Sequence, residues 1–178
     1  AIRAIVASGN TDATTRVAHM TLAEPEKEEV LAWRPGEPAA RKAEVVLHRG
    51  AEGVEATLNL ASGGLASWRH VPGVQPPIQS DEWAAAQRIT KQDPGWLAAM
   101  RARGYEDVSQ IFCESLTAGF FDIPEERGRR LLKMPCYDIA GAKTNIYARP
   151  IEGLVSVVEL AKGEVVRVLV DGATVVGA

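Results

Sequence analysis

The sequence predicts an α+β chain built as two tandem copies of one small unit, each a curled antiparallel sheet with a helix packed across its buried face. Three observations predict it. Residues 53–68 read GVEATLNLASGGLASW and residues 153–168 read GLVSVVELAKGEVVRV, so Gly53 and Gly153, Leu60 and Leu160, Ala61 and Ala161, and Gly63 and Gly163 coincide at a constant offset of 100. The order helix, two strands, hairpin can be read in both halves. Between the halves lies Pro72-Gly73-Val74-Gln75-Pro76-Pro77, a stiff stretch unable to join a central strand. The expected domains are residues 1–74 and 75–178.

Taken in order, Ala1 to Ala7 reads as the tail of a helix that Gly9 ends. Strands are expected near 16–23 and 41–48, followed by the hairpin over 53–68. A period of two there puts Val54, Ala56, Leu58 and Leu60 on one face and Glu55, Thr57 and Asn59 on the other. One face packs and the other meets water. In the second half Ser80 stands at an N-cap position, with Asp81 and Glu82 in the first turn, where acids favour the helix dipole. That helix runs through Trp83, Ala86, Gln87 and Ile89. Asp93-Pro94 restarts it as a cap with a proline at the first helical position, and Trp96, Leu97, Met100 and Arg103 lead to a stop at Gly104. Strands near 108–117 and 130–138, an extended piece from Asn145 to Arg149 and the second hairpin complete the chain.

The 178 residues, with 46% hydrophobic and 24% charged side chains, have the composition of an ordinary globular protein. A net charge of -3 and a pI near 5.7 leave no electrostatic footprint for nucleic acid or anionic lipid. No apolar run reaches the roughly 18 residues of a membrane span. Ala1 to Ala7 lacks the basic flank of a signal peptide. A start on Ala-Ile-Arg and a stop just after the apolar Val175-Val176 predict a piece of something longer.

No G-x-S-x-G, phosphate-binding loop, G-x-G-x-x-G or H-E-x-x-H is present. His19, His48 and His70 fall on separate expected strands without the paired short spacing of a metal site, and read as polar strand residues. The run Glu125-Glu126-Arg127-Gly128-Arg129-Arg130 reads as a solvated, self-neutralising patch. A phosphate clamp on Arg127, Arg129 and Arg130 is the sharper alternative, against which the adjacent glutamates argue. Cys113 and Cys136 lie inside two expected strands of the second unit. As antiparallel neighbours they can form a bond contributing about 3 kcal/mol; as separate buried thiols they are small hydrophobes. A bond points to an oxidising compartment. Of the tryptophans, Trp33, Trp68 and Trp96 read as core or interface anchors, whereas Trp83 stands at the exposed start of its helix.

The stretch Leu22-Ala23-Glu24-Pro25-Glu26-Lys27-Glu28-Glu29-Val30-Leu31-Ala32-Trp33, followed by Arg41-Lys42-Ala43-Glu44-Val45-Val46, resembles an accessory domain of the copper amine oxidases, the quinone-dependent primary-amine oxidases. Asp93-Pro94 through Arg103-Gly104, then Ser115-Leu116-Thr117-Ala118-Gly119-Phe120-Phe121 and Asn145 through Leu154, resemble the accessory domain that follows it. These are the N2 and N3 domains of that family, and the resemblance spans nearly the whole chain. It implies two tandem cystatin-like units packed outside a large C-terminal β-sandwich, which carries the copper, the topaquinone made from a tyrosine in T-x-x-N-Y, and an H-x-H metal pair. None of those parts is in this sequence: Thr144-Asn145-Ile146-Tyr147 has the wrong spacing and no H-x-H occurs.

The implied function is therefore that of a non-catalytic N-terminal fragment of an enzyme converting a primary amine to aldehyde, ammonia and hydrogen peroxide. No catalytic, cofactor-binding or metal-binding residue is expected in the chain itself. The implied partners are its own C-terminal catalytic domain and, for the whole enzyme, a second copy in a homodimer; nucleic acid and membrane are not implied. In some family members the second accessory domain walls the funnel to the quinone, and the matching positions are Trp83, Ser115 and Leu116. Some relatives carry proline where Ser115 stands. The resemblance also matches Cys113 and Cys136 to a disulfide of plant relatives, which would favour a periplasmic or secreted location. A different class, a free-standing tandem cystatin-like binding or inhibitor module, lacks its expected Q-x-V-x-G hairpin tip at both Leu60-Ala61-Ser62-Gly63 and Leu160-Ala161-Lys162-Gly163.

Overall fold

A computed structural model describes residues 2–50, 52–141 and 145–172. The chain falls into two compact units, Ala1–Pro77 and Ile78–Ala178.

The first unit runs α1 (Ile2–Ala7), β1 (Thr15–Ala23), α2 (Lys27–Ala32), β2 (Lys42–Arg49), β3 (Glu52–Asn59) and β4 (Gly64–Val71). Its four strands form an antiparallel sheet in the order β1-β2-β3-β4. The expected alternation holds: Val54, Ala56 and Leu58 of β3 are buried with Ala43, Val45 and Leu47 of β2. Leu60 packs against that cluster while Glu55 and Asn59 face out. Ile5 of α1 closes the cluster at 2% exposed, so this short helix contributes one apolar residue to the core. The helix α2 has no expectation from apolar periodicity, because none of its residues is buried; Glu28 and Glu29 in its first turn are the favourable local signal. After β4 the chain folds back, bringing the Val74 carbonyl and the Pro76 ring against Gly53.

The second unit runs α3 (Ser80–Gln92), α4 (Pro94–Arg101), β5 (Ile111–Cys113), β6 (Leu116–Thr117), a 3-10 turn over Pro124–Glu126, β7 (Leu131–Asp138), β8 (Pro150–Glu159) and β9 (Glu164–Val170). The sheet order is β5-β7-β8-β9, with β6 also pairing β7. Ala86 of α3 and Trp96 and Met100 of α4 are fully buried against Cys113, Leu132, Met134, Leu154 and Val158, so the helices lie across one sheet face as expected.

The two hairpins agree beyond the four shared letters. Gly63 donates to Asn59 and Gly163 to Glu159, both at 2.9 Å, and both glycines have φ +69. Leu60 donates to Arg41 and Leu160 to Arg130. The β3–β4 ladder slips register between Thr57 and Leu58, the β8–β9 ladder between Val157 and Val158.

Four local expectations are corrected. The N-cap of α3 is Gln79, one residue before Ser80: Glu82 reaches back to the Gln79 N–H at 2.8 Å, closing a capping box. The strand expected over 108–117 is shorter and broken, because the Asp107 carboxylate takes the Ser109 N–H and hydroxyl in a turn, and Glu114-Ser115 separates β5 from β6. The piece from Asn145 to Arg149 is bent rather than extended, since the Asn145 side chain accepts the Tyr147 N–H at 2.9 Å. The arginine run is solvated at Glu125 and Arg127 as expected but does not neutralise itself: Arg127 pairs with Asp122, Arg129 with Glu159 and Arg130, which is buried, with the buried Glu82, while Glu126 takes Arg167. Each of the three guanidiniums of the phosphate-clamp alternative is instead engaged by a carboxylate. Thr144 of the Thr144–Tyr147 run lies outside the described residues.

Candidate functional site

The three histidines do not meet. His19 lies opposite Val46 and His48 opposite Gly53, on the sheet face away from the core of the first unit, whereas His70 lies opposite the core residue Val54. Side chains of cross-strand partners share a face, so the three are divided between two faces. No group of three or more His, Cys, Asp or Glu that could hold a metal occurs among the described residues. Copper requires several imidazoles gathered at one point, and these side chains do not fit it. No helix among the described residues is long and apolar enough to cross a membrane.

The residues of interest gather in the second unit instead. Cys113 and Cys136 are cross-strand partners of β5 and β7, joined by a disulfide and almost fully buried at 0% and 1% exposed. The chain stays pinned beyond it: Glu114 donates to the Pro135 carbonyl at 2.9 Å, and Leu116 and Thr117 pair with Lys133 and Leu132. Ser115 therefore sits two residues from a covalent anchor, at the break between two short strands. Its hydroxyl donates to the Trp83 carbonyl at 3.4 Å, joining the first turn of α3 to this segment. The flanking apolar side chains are open to solvent, Trp83 at 50% and Leu116 at 46% exposed. Trp83 and Ser115, 32 residues apart in the chain, thus meet, whereas Leu116, the cross-strand partner of Lys133, turns to the sheet face away from the core that α3 covers.

Leu116 shares its sheet face with Lys133, its partner on β7. Lys133 donates to the Ala118 carbonyl at 3.0 Å and lies 4.9 Å over the Phe121 ring. Phe120 and Phe121 are among the most exposed apolar side chains described, at 77% and 69%. Beneath Trp83, Glu82 receives a two-point contact from Arg130, Nε to Oε1 and Nη2 to Oε2, each 2.7 Å. Apolar periodicity could not find this pair: an acid in a first turn reads as dipole complement, and Arg130 reads as one of a charged run. The usable signal is spacing, since Glu82, Ala86 and Thr90 fall on one helical stripe.

Elsewhere in the unit, a cavity of about 380 Å³ opens between β7, β8 and β9, lined by Pro135, Tyr137, Ile151, Leu154, Val155 and Leu169 among others. None of Trp83, Ser115 and Leu116 lines it. Tyr147 rests edge-on against Tyr137 and donates to Glu114 at 3.3 Å; the Glu114 carboxylate raises the Tyr147 hydroxyl above its ordinary pKa.

Residues 1–71 match the family model for the copper amine oxidase N2 domain, and residues 81–176 that for the copper amine oxidase N3 domain. The chain is 32% identical over 161 residues to a primary amine oxidase of Arthrobacter sp. (strain P1), covering 89% of this chain and 24% of that protein. Against the copper-containing amine oxidase gamma 1 of Arabidopsis thaliana it is 34% identical over 156 residues, covering 86% of this chain and 21% of the relative. A crystal structure of a copper-containing benzylamine oxidase from Hansenula polymorpha superposes with a TM-score of 0.76 at 17% identity, over 93% of this chain and 27% of that one. The chain thus spans about a quarter of the length of these relatives. With both units matched in order by the two family models, the chain belongs to the copper amine oxidases, of which it comprises the N2 and N3 domains.

Proposed function

We propose that this chain is the non-catalytic N-terminal part of a copper- and topaquinone-dependent primary-amine oxidase, and that its second unit supplies one wall of the substrate channel. Copper and quinone belong, in this reading, to a catalytic domain on which the two units pack and which pairs two copies as a homodimer. The parent reaction is the oxidative deamination of a primary amine to aldehyde, ammonia and hydrogen peroxide. No step of it falls to the residues of this chain.

The observation that carries the channel-wall reading is the Ser115 hydroxyl on the Trp83 carbonyl, with the Trp83 side chain half exposed and Leu116, next in the chain to Ser115, half exposed at the same sheet edge. An apolar wall of this kind favours amines with an aryl or alkyl tail, because affinity in a channel grows with the apolar area removed from water. The buried disulfide Cys113–Cys136 supports an extracytoplasmic, periplasmic or secreted, location.

The test is Trp83→Ala in the full-length protein, assayed across aryl and alkyl amines. The expected result is a changed preference between the two classes with kcat largely retained, the sign of lost binding contacts. Unchanged specificity across the series sinks the channel-wall reading.

A further inference from the structure

We infer that the buried Glu82–Arg130 pair is a positioning device for Trp83, setting how the apolar wall is presented to the amine; this rests on the channel-wall reading above. Glu82 is the third helical residue of α3, and its carboxylate satisfies the Gln79 N–H at 2.8 Å as well as the forked guanidinium. Both side chains are withdrawn from solvent, at 9% and 3% exposed. The backbone at Arg130 is itself tied to the sheet, since its carbonyl accepts the Leu160 N–H at 3.0 Å. The fork therefore links the first turn of α3 to the start of β7.

Trp83 is the next residue. It is half exposed and belongs to none of the core clusters, so its direction depends on its backbone. That backbone is held from two sides, by the Glu82 fork and by the Ser115 hydroxyl on the Trp83 carbonyl. Stability alone does not call for an ion pair here, because an apolar pair of similar volume in a buried site is often neutral or better. What a two-point guanidinium–carboxylate contact adds is a fixed direction.

The test uses the full-length, copper-loaded protein labelled with fluorotryptophan, the Trp83 fluorine resonance being assigned by its loss in Trp83→Phe. The double variant Glu82→Gln/Arg130→Met keeps an acceptor for the Gln79 N–H and leaves no buried charge, so it folds where Arg130→Met alone strands a carboxylate. Arg130→Lys is the second variant, retaining the charge without the fork. In both, the Trp83 resonance is expected to shift or broaden. The KM of benzylamine relative to methylamine is expected to change about fivefold, with kcat held within about twofold. A Trp83 resonance unmoved in the folded double variant overturns the positioning role whatever the kinetics. A resonance that moves while amine preference stays constant overturns the channel-wall reading instead, and with it any part for the pair in selectivity.

Discussion

At Gly153 the backbone sits at φ +61, and a β-carbon there would lie 1.9 Å from the Asp171 carbonyl oxygen. Its counterpart Gly53 has ordinary backbone angles, and an added β-carbon would meet the Val74 carbonyl at 3.1 Å. The same letter of the repeat thus answers to different constraints. Gly153→Ala combines a left-handed backbone, costing about 1–2 kcal/mol, with a clash against main chain, and should lower unfolding free energy by about 3 kcal/mol or more. Gly53→Ala should cost about 1 kcal/mol or less, since the neighbour need yield only a few tenths of an ångström. Urea unfolding of the two variants side by side checks the contrast. Glu159 offers a second residue-level test. The hydrogen bond from Arg129 holds its carboxyl below the ordinary value of 4.5, against the opposing effect of burial, and Lys162 adds to the lowering. The folded value lies below the unfolded one, so the stabilisation is full above about pH 4.5 and is lost as pH falls through the depressed folded value. Thermal melts between about pH 3 and 7 should show a shallower acid limb for Glu159→Gln than for the native protein, with a lower melting temperature at neutral pH.

Among the elements, the first hairpin was legible because β3 alternates apolar and polar residues, with Val54, Ala56 and Leu58 buried as that pattern requires; in the second, Val157 and Val158 are both buried, and the repeat with Gly163 at the turn was the signal. The helix α4 was equally legible, since the Asp93 carboxylate does accept the Trp96 N–H, at 2.7 Å. What escaped the pattern is the inward stripe of α3. Two of its three buried residues, Glu82 and Thr90, are polar, and their partners Arg130 and Ser156 lie 48 and 66 residues away. Periodicity detects apolar faces and says nothing of distant pairing. The candidate wall was legible only through the family resemblance, because Trp83 and Ser115 are separated by 32 residues and meet through a main-chain carbonyl. The disulfide that anchors this wall closes a loop with a sequence separation of 23. Replacing both cysteines with alanine should cost about 3 kcal/mol. With both sulfurs buried, a small thiol reagent should label the reduced protein only after unfolding, which mass spectrometry of native and denatured samples checks.

For the whole molecule, the two units share a plan but differ in what they bury and expose. The first buries its core within one sheet and α1, and its histidines divide between two faces. The second carries the disulfide, the buried Glu82–Arg130 pair and exposed apolar side chains at Trp83, Leu116, Phe120 and Phe121. As the N2 and N3 domains of a copper amine oxidase, spanning about a quarter of its relatives, the chain is proposed to contribute shape rather than chemistry. The most direct measurement is kcat/KM of the full-length enzyme for benzylamine and methylamine, with and without Trp83→Ala. The ratio between the two substrates should change by about fivefold while kcat holds within about twofold. An unchanged ratio, with the variant folded and fully active, would contradict the channel-wall reading.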